Sequence, residues 1–144
     1  MSGSSQPISN FQFTVNFGGE NINFQEVILP ESEIEIIEYR DGSDVSSSVR
    51  KFPGLIKYSN LILKRGMTRT QDLYEWFKQT KQGNLERRDI TVSILNEEKE
   101  SLAVWKMRSC WPTKYSGSSL KAKNSEIAIE TLEIATEDVE LEIK

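Results

Sequence analysis

Phe11-Gln12-Phe13-Thr14-Val15-Asn16-Phe17 places an apolar side chain at every second position over seven residues. Successive side chains of a strand point to opposite faces, so this spacing predicts a half-buried β-strand with Phe11, Phe13, Val15 and Phe17 against a core. Gly18-Gly19, followed by Glu20-Asn21, breaks the run as a hairpin loop would. Ile22 and Phe24 resume the alternation, and Pro30 closes the segment beyond Val27.

The same reading extends outward along the chain. In residues 33–40, Ile34 and Ile36 share one face and Ile37 and Tyr39 take over the other. A change of parity inside a strand predicts a β-bulge, or a strand covered on both faces. Residues 41–50 (DGSDVSSSVR) are a loop by composition, and Pro53-Gly54 is a second turn. Residues 57–64 form a further strand that Gly66 closes. One segment has a helical period: Leu73, Trp76, Phe77 and Thr80 stand at i, i+3, i+4 and i+7. This predicts a helix over about residues 71–82 that packs through Leu73, Trp76 and Phe77, with Thr68 and Gln71 as a capping box and Gly83 as the stop. Strands resume with Ile90, Val92 and Ile94, turn at residues 96–100, and return over 102–108 with apolar groups on both faces. Trp111-Pro112 ends that strand, and residues 116–119 form a polar loop. A final strand runs over about 126–134, with a tail in which Val139, Leu141 and Ile143 alternate. The sum is a mainly β fold, a sandwich or barrel of six to eight strands with one flanking helix. Residues 1–9 (MSGSSQPIS) read as a flexible arm and residues 10–144 as a single domain.

Composition removes most chemistry. Histidine is absent, which excludes Ser-His-Asp and Cys-His catalysis and most zinc sites. Cys110 is the lone cysteine, so no internal disulfide forms, and its bland reading is a small buried filler. Glu33 and Glu35 alternate with isoleucines, the pattern of a solvated strand face rather than of a glycosidase pair. No glycine-rich loop has phosphate-binding spacing, and Lys64-Arg65-Gly66 reads as the charged end of a strand. Trp76, Phe77, Trp105 and Trp111 are core aromatics before they are a sugar or lipid site. Neither Tyr58 nor Tyr115 has a role by pattern. The net charge of −4 is mild and shows no basic stripe of the kind nucleic-acid binders carry. There is no apolar run of the roughly 20 residues a membrane span needs and no signal-like segment, so the expectation is a protein made in a cytoplasm, without membrane insertion and without a cofactor.

Several stretches, taken in order, resemble one known family. They are the alternation through Phe17, Phe24-Gln25-Glu26-Val27, Ile37-Glu38-Tyr39-Arg40-Asp41-Gly42, Phe52-Pro53-Gly54 and the run from Tyr58 to Gly66 that ends Leu63-Lys64-Arg65-Gly66. The helix carrying Trp76, Ala103-Val104-Trp105, Trp111-Pro112-Thr113-Lys114-Tyr115 and the run from Asn124 to Glu130 complete the set. Together they are similar to the tube proteins of contractile phage tails and of extracellular contractile injection systems, distant relatives of the haemolysin-coregulated protein of type VI secretion. One departure is Ile28-Leu29-Pro30, where the family has a Gly-Leu turn.

The resemblance implies a structural subunit rather than an enzyme. It implies a homo-hexameric ring, with rings stacked into a tube inside a contractile sheath, bounded by baseplate and tube-terminating proteins. Strands of six subunits would join into one inner β-barrel around a lumen that conducts DNA or protein cargo. Four strands per subunit give about 24, a circumference of about 150 Å and a bore of roughly 35–40 Å. Such a particle is a phage tail or a tail-like machine released from the cell. Under this reading the polar loop of Asp41, Gly42, Ser43, Asp44, Ser46, Ser47, Ser48, Arg50 and Lys51 contacts the adjoining ring, as does the N-terminal arm. Glu35, Asn60, Thr91 and Ser93, polar positions opposite apolar strand faces, line the lumen. A competing reading from another class is a monomeric β-barrel or jelly roll that binds a sugar or lipid.

Overall fold

The structure is a computed structural model that describes residues 5–40, 42, 49–122 and 127–144. Its elements are β1 (Gln12–Phe17), β2 (Asn21–Ile22), β3 (Glu26–Ile28), β4 (Ser32–Tyr39), β5 (Arg50–Tyr58), β6 (Leu61–Gly66), α1 (Asp72–Lys81), β7 (Arg88–Leu95), β8 (Ser101–Gly117), β9 (Ile129–Ala135) and β10 (Asp138–Ile143). An eight-stranded antiparallel sheet has the order β2-β1-β7-β8-β9-β6-β3, with β10 also paired to β8. β4 and β5 form a separate two-stranded ladder. The fold is therefore mainly β with one helix among the described residues. The strand count exceeds the sequence expectation because β2 and β3 are two- and three-residue pieces and because residues 57–64 divide between β5 and β6.

β8 explains how one sheet encloses a core. Its first half pairs with β7 and β10 and its second half with β9. Between them Ser109 takes a left-handed φ of 55°, its N–H donating to Asp89 Oδ1 at 3.1 Å, and the register with β7 shifts there. A bulge adds one residue and bends the strand, so the two halves of the sheet face each other. Val15, Phe17, Ile90, Val92 and Met107 from one half meet Leu61, Leu63, Leu132 and Ile134 from the other. Leu73 and Trp76 of α1 close the end of this core, each 1% exposed, and Phe77 packs at its margin.

Two proline readings are corrected. Pro53-Gly54 is not a turn: β5 runs through it, and Pro53 lies opposite Ile36 where the β4–β5 register slips by one residue. A missing N–H is harmless at a bulge. Gly54 serves close approach, since a Cβ there would stand 3.0 Å from Ile37 Cγ1 and 3.1 Å from the Glu35 carbonyl oxygen. Trp111-Pro112 likewise does not end β8, which continues to Gly117; Pro112 is buried opposite Ile134, beside the register shift between Pro112 and Lys114. The parity change in residues 33–40 corresponds to the shift between Ile34 and Ile36.

Three smaller differences follow from local hydrogen bonding. The chain leaves the hairpin at Ser59, where Glu31 N donates to Ser59 Oγ (2.7 Å) and Ser59 N to Glu31 O (3.0 Å). The helix begins without a side-chain cap; Thr68 Oγ1 instead accepts from Thr70 N at 3.2 Å. The polar loop expected at 116–119 starts later, because Ser116 and Gly117 still pair with β9.

Candidate assembly surfaces

A buried polar network underlies the outer surfaces. Arg65 on β6 stands directly opposite Glu130 on β9, both in phase with the core residues Leu61, Leu63, Leu132 and Ile134. Glu130 is 3% exposed. It accepts from Arg65 Nε at 2.7 Å through Oε2 and from the Tyr115 hydroxyl at 2.6 Å through Oε1. Arg65 also pairs with Asp72 at the start of α1, so one guanidinium ties sheet to helix. Burial opposes its charge, but the hydrogen bonds to Asp72 and Glu130 outweigh that and raise its pKa. Burial, with the bond to Glu130, pushes the Tyr115 phenol up to about 12. The three stretches carrying Arg65, Tyr115 and Glu130 thus converge on one network that the sequence reading did not find. The available signal was a charged residue in phase with two core positions on each strand.

Apart from Leu102 and Val104 of β8, the outer face of β1, β7, β8 and β10 is mainly polar. Alternation turns Thr14 and Asn16, Thr91 and Ser93, Lys106 and Arg108, and Glu140 and Glu142 away from the core, and register sets them in rows such as Asn16–Thr91–Lys106–Glu140. Lys106 pairs with Glu142 and Arg108 with Glu140, each at 3.4 Å. This face ends at open strand edges. Among the described residues no strand lies outside β10, and β2 covers β1 only at Val15 and Asn16.

The β4–β5 hairpin is the second surface. Every residue of β4 is exposed, including Ile34 (55%), Ile36 (61%) and Ile37, and so are Phe52, Leu55 (73%) and Ile56 of β5. Among the described residues its one ion pair is Lys57–Glu35 at 3.7 Å, exposed on both sides. Monomers rarely leave so much contiguous apolar surface in water. At the hairpin's base the Tyr58 hydroxyl donates to Asp138 Oδ1 at 3.2 Å, linking it to β10.

The structure brings some sequence candidates together and separates others. Thr91 and Ser93 share the polar face. Glu35 lies on the hairpin, and Asn60 lies between β5 and β6 with Nδ2 within 3.5 Å of Glu133 Oε1. Of the loop candidates, Arg50 and Lys51 open β5 opposite Tyr39 and Glu38, and Gly42 is exposed. Asp41, Ser43, Asp44, Ser46, Ser47 and Ser48 lie outside the described residues, as do residues 1–4 of the arm. Trp76 meets Phe17 edge-on at 5.0 Å, and its Nε1 donates to Glu86 O at 2.8 Å. Cys110 is fully buried within β8, and burial raises its thiol pKa, so it stays a thiol.

A closed core, a sheet with open edges and an unpartnered apolar hairpin define a structural subunit of a larger assembly. Comparison makes this specific. Residues 9–140 match the family model described as T4-like virus tail tube protein gp19, and the chain belongs to that family. It is similar to a chain in the sheath–tube complex of PVC, an extracellular contractile injection system, in its extended state, at 27% identity over 99% of this chain and 95% of that one, TM-score 0.87. It is similar too to a chain of the tube-terminating cap of the anti-feeding prophage, at 26% identity over 100% of each, TM-score 0.86. Hcp1 from Flavobacterium johnsoniae shares the fold at 16% identity over 90% of this chain and 93% of that one, TM-score 0.57. No curated protein sequence gives a significant match. The chain is a tail tube protein, a structural subunit of the tube.

Proposed function

We propose that six copies of this chain close into a ring, that rings stack into a hollow tube, and that the tube sits inside a contractile sheath and conducts DNA or protein cargo. The observation that carries this is the hairpin with all of β4 exposed, beside a sheet whose edges are open. Ring closure pairs the β10 edge of one copy with the β1–β2 edge of the next, satisfying backbone groups that a lone subunit leaves to water. β1, β7, β8 and β10 then supply the four strands each copy gives to the inner barrel, with Thr91 and Ser93 on its wall. The β4–β5 hairpin and the loop at its tip reach the adjoining ring and bury their isoleucines there.

Sheath, baseplate and tube-terminating proteins are the remaining partners; the relatives of known structure come from a sheath–tube complex and a tube-terminating cap. The chain works as a wall and catalyses nothing. It is made in a bacterial cytoplasm and built into a phage tail or a released tail-like particle. No described helix is long and apolar enough to cross a membrane. Negative-stain microscopy of the purified chain tests the proposal: rings with an open centre, singly or stacked, are expected. A particle that remains a monomer by light scattering at high concentration would count against it and favour the monomeric sugar- or lipid-binding reading.

A further inference from the structure

Two free strand edges of this chain are made of matching parts. On β10, Leu141 and Ile143 point to the core side of the sheet, in phase with Val139. They are nonetheless 50% and 72% exposed, because among the described residues no strand lies beyond β10. On β1, β2 pairs only with Val15 and Asn16, so the edge is open from Thr14 back to Phe11. Phe11 and Phe13 of that open stretch line an apolar groove of about 290 Å³, with Trp105 from their half of the sheet and Val27 and Leu29 from the other.

Direction and phase restrict how the two edges meet. β1 runs antiparallel to β7, β7 to β8 and β8 to β10, so β1 and β10 point in opposite directions. A rotation about the tube axis preserves those directions, and β10 of one copy beside β1 of the next makes an antiparallel ladder. The stagger must be an even number of residues, since an odd slip turns Leu141 toward the lumen. Within a copy, Leu141, Trp105, Val92 and Val15 form one row. Carried unshifted into the next copy, that row sets Leu141 against Val15, where β2 already sits. A stagger of two sets Val139 there instead. Four is the first even stagger that clears β2, and it places Val139 opposite Phe13, Glu140 opposite Gln12 and Leu141 opposite Phe11. Four residues over four strands is one per strand, the ratio at which an eight-stranded barrel tilts its strands by about 36°, inside the usual range for closure.

Resting on the tube reading above, we propose that the groove at Phe11 and Phe13 is completed by Leu141 of a second copy, held there by a β10–β1 ladder staggered by four residues. The core of each subunit is thus finished by its neighbour. The short strand β2 acts as the stop that sets the register, since β10 can slide no further along β1 than Thr14.

Engineered disulfides read this register directly, because a bridge needs Cα atoms about 4.4–6.8 Å apart. Gln12→Cys with Glu140→Cys sets both thiols on the lumen face, opposite one another across the seam between copies. Within one copy β1 and β10 are three strand spacings apart, roughly 14 Å, too far to bridge. Oxidised rings of this variant are expected to run on a non-reducing gel as a covalent series reaching six chains. The two single variants, mixed, should stop at dimers, and they carry the same test if the double variant does not assemble. Gln12→Cys with Glu142→Cys lies two residues out of register, where diagonal neighbours are about 7–8 Å apart, and Gln12→Cys with Leu141→Cys puts the thiols on opposite faces. Both controls should remain single chains on the gel, as should the wild type, whose Cys110 is buried. Leu141→Ser and Phe11→Ser should each raise the concentration for half-maximal ring assembly roughly tenfold, and together by less than the product, as residues in contact do. Rings that bridge through a control pair, or through no pair, overturn the inference and leave the tube reading standing. A wild-type chain that builds no ring overturns both.

Discussion

β7–β8 and β4–β5 are both antiparallel hairpins of long strands rich in aliphatic residues, and they meet water in opposite ways. Ile90, Val92, Ala103 and Met107 of the first are buried, whereas Ile34, Ile36, Ile37 and Ile56 of the second are more than half exposed. Composition does not separate them, since β7 carries Ile90, Val92, Ile94 and Leu95 and β4 carries Ile34, Ile36, Ile37 and Tyr39. What differs is the second layer. β6, β9 and α1 cover β7–β8 from across the core, while nothing in the described chain covers β4–β5. An isolated two-stranded ladder is marginal in water, and in the proposed tube the hairpin's apolar side chains are buried by another copy. One region stores the folding energy of the subunit and the other, in the proposed tube, that of the assembly.

The largest break in this contrast comes from the core side. Arg65→Ala leaves the Glu130 carboxylate buried without its cation, and removing one partner of a buried pair costs about 3–5 kcal/mol. The urea midpoint of the isolated chain should fall accordingly. Arg65→Leu combined with Glu130→Leu should recover much of the loss, because a packed apolar pair removes the stranded charge. A single substitution as mild as a surface change would show that the network does not bear on stability.

Tyr115→Phe is smaller. It strips one donor from Glu130 Oε1 and should cost about 1–3 kcal/mol, with the ring contacts to Tyr74 (5.3 Å) and Phe77 (6.2 Å) retained. The same hydroxyl gives a pH dependence. Its folded pKa is raised from 10.0 to about 12, so the folded state holds the phenol proton more tightly than the unfolded chain does. That stabilisation is complete below pH 10 and is lost as pH rises to about 12. In ultraviolet titration one tyrosine should ionise late, and Tyr115→Phe should remove that step together with part of the alkaline loss of stability.

The sequence made the β class, the helix and the bulge in β4 legible, because alternation and a 3.6-residue period are direct images of burial. Its larger failures were of one kind. Pro53 read as a turn and Pro112 as a strand end because proline breaks a ladder, yet each sits by a register shift inside a continuous strand. The partner strand that makes such a bulge tolerable is distant in sequence. The polar network was hidden for the same reason: Arg65 and Glu130 meet only through the β6–β9 register. As for surfaces, alternation placed Thr91 and Ser93 on the polar face but could not separate them from Glu35, since the pattern of a strand facing solvent is the same on a hairpin as on a sheet.

The smallest expected change in subunit stability is in the hairpin, and it sharpens the contrast most. Ile34 and Ile56 are cross-strand partners, 55% and 58% exposed. Replacing both with serine removes little that the lone subunit buries, so its denaturation midpoint should move by no more than a surface substitution does, within about 0.5 kcal/mol. In the proposed tube the same side chains are covered by the adjoining ring, and fully burying each aliphatic chain is worth roughly 1.5–3 kcal/mol. Losing even about 1.4 kcal/mol per contact raises the concentration needed for stacking about tenfold. Light scattering against concentration should therefore show single rings persisting where wild type forms tubes. A double variant that unfolds readily would mean the hairpin folds as part of the core, and one that polymerises normally would mean its isoleucines meet no neighbour.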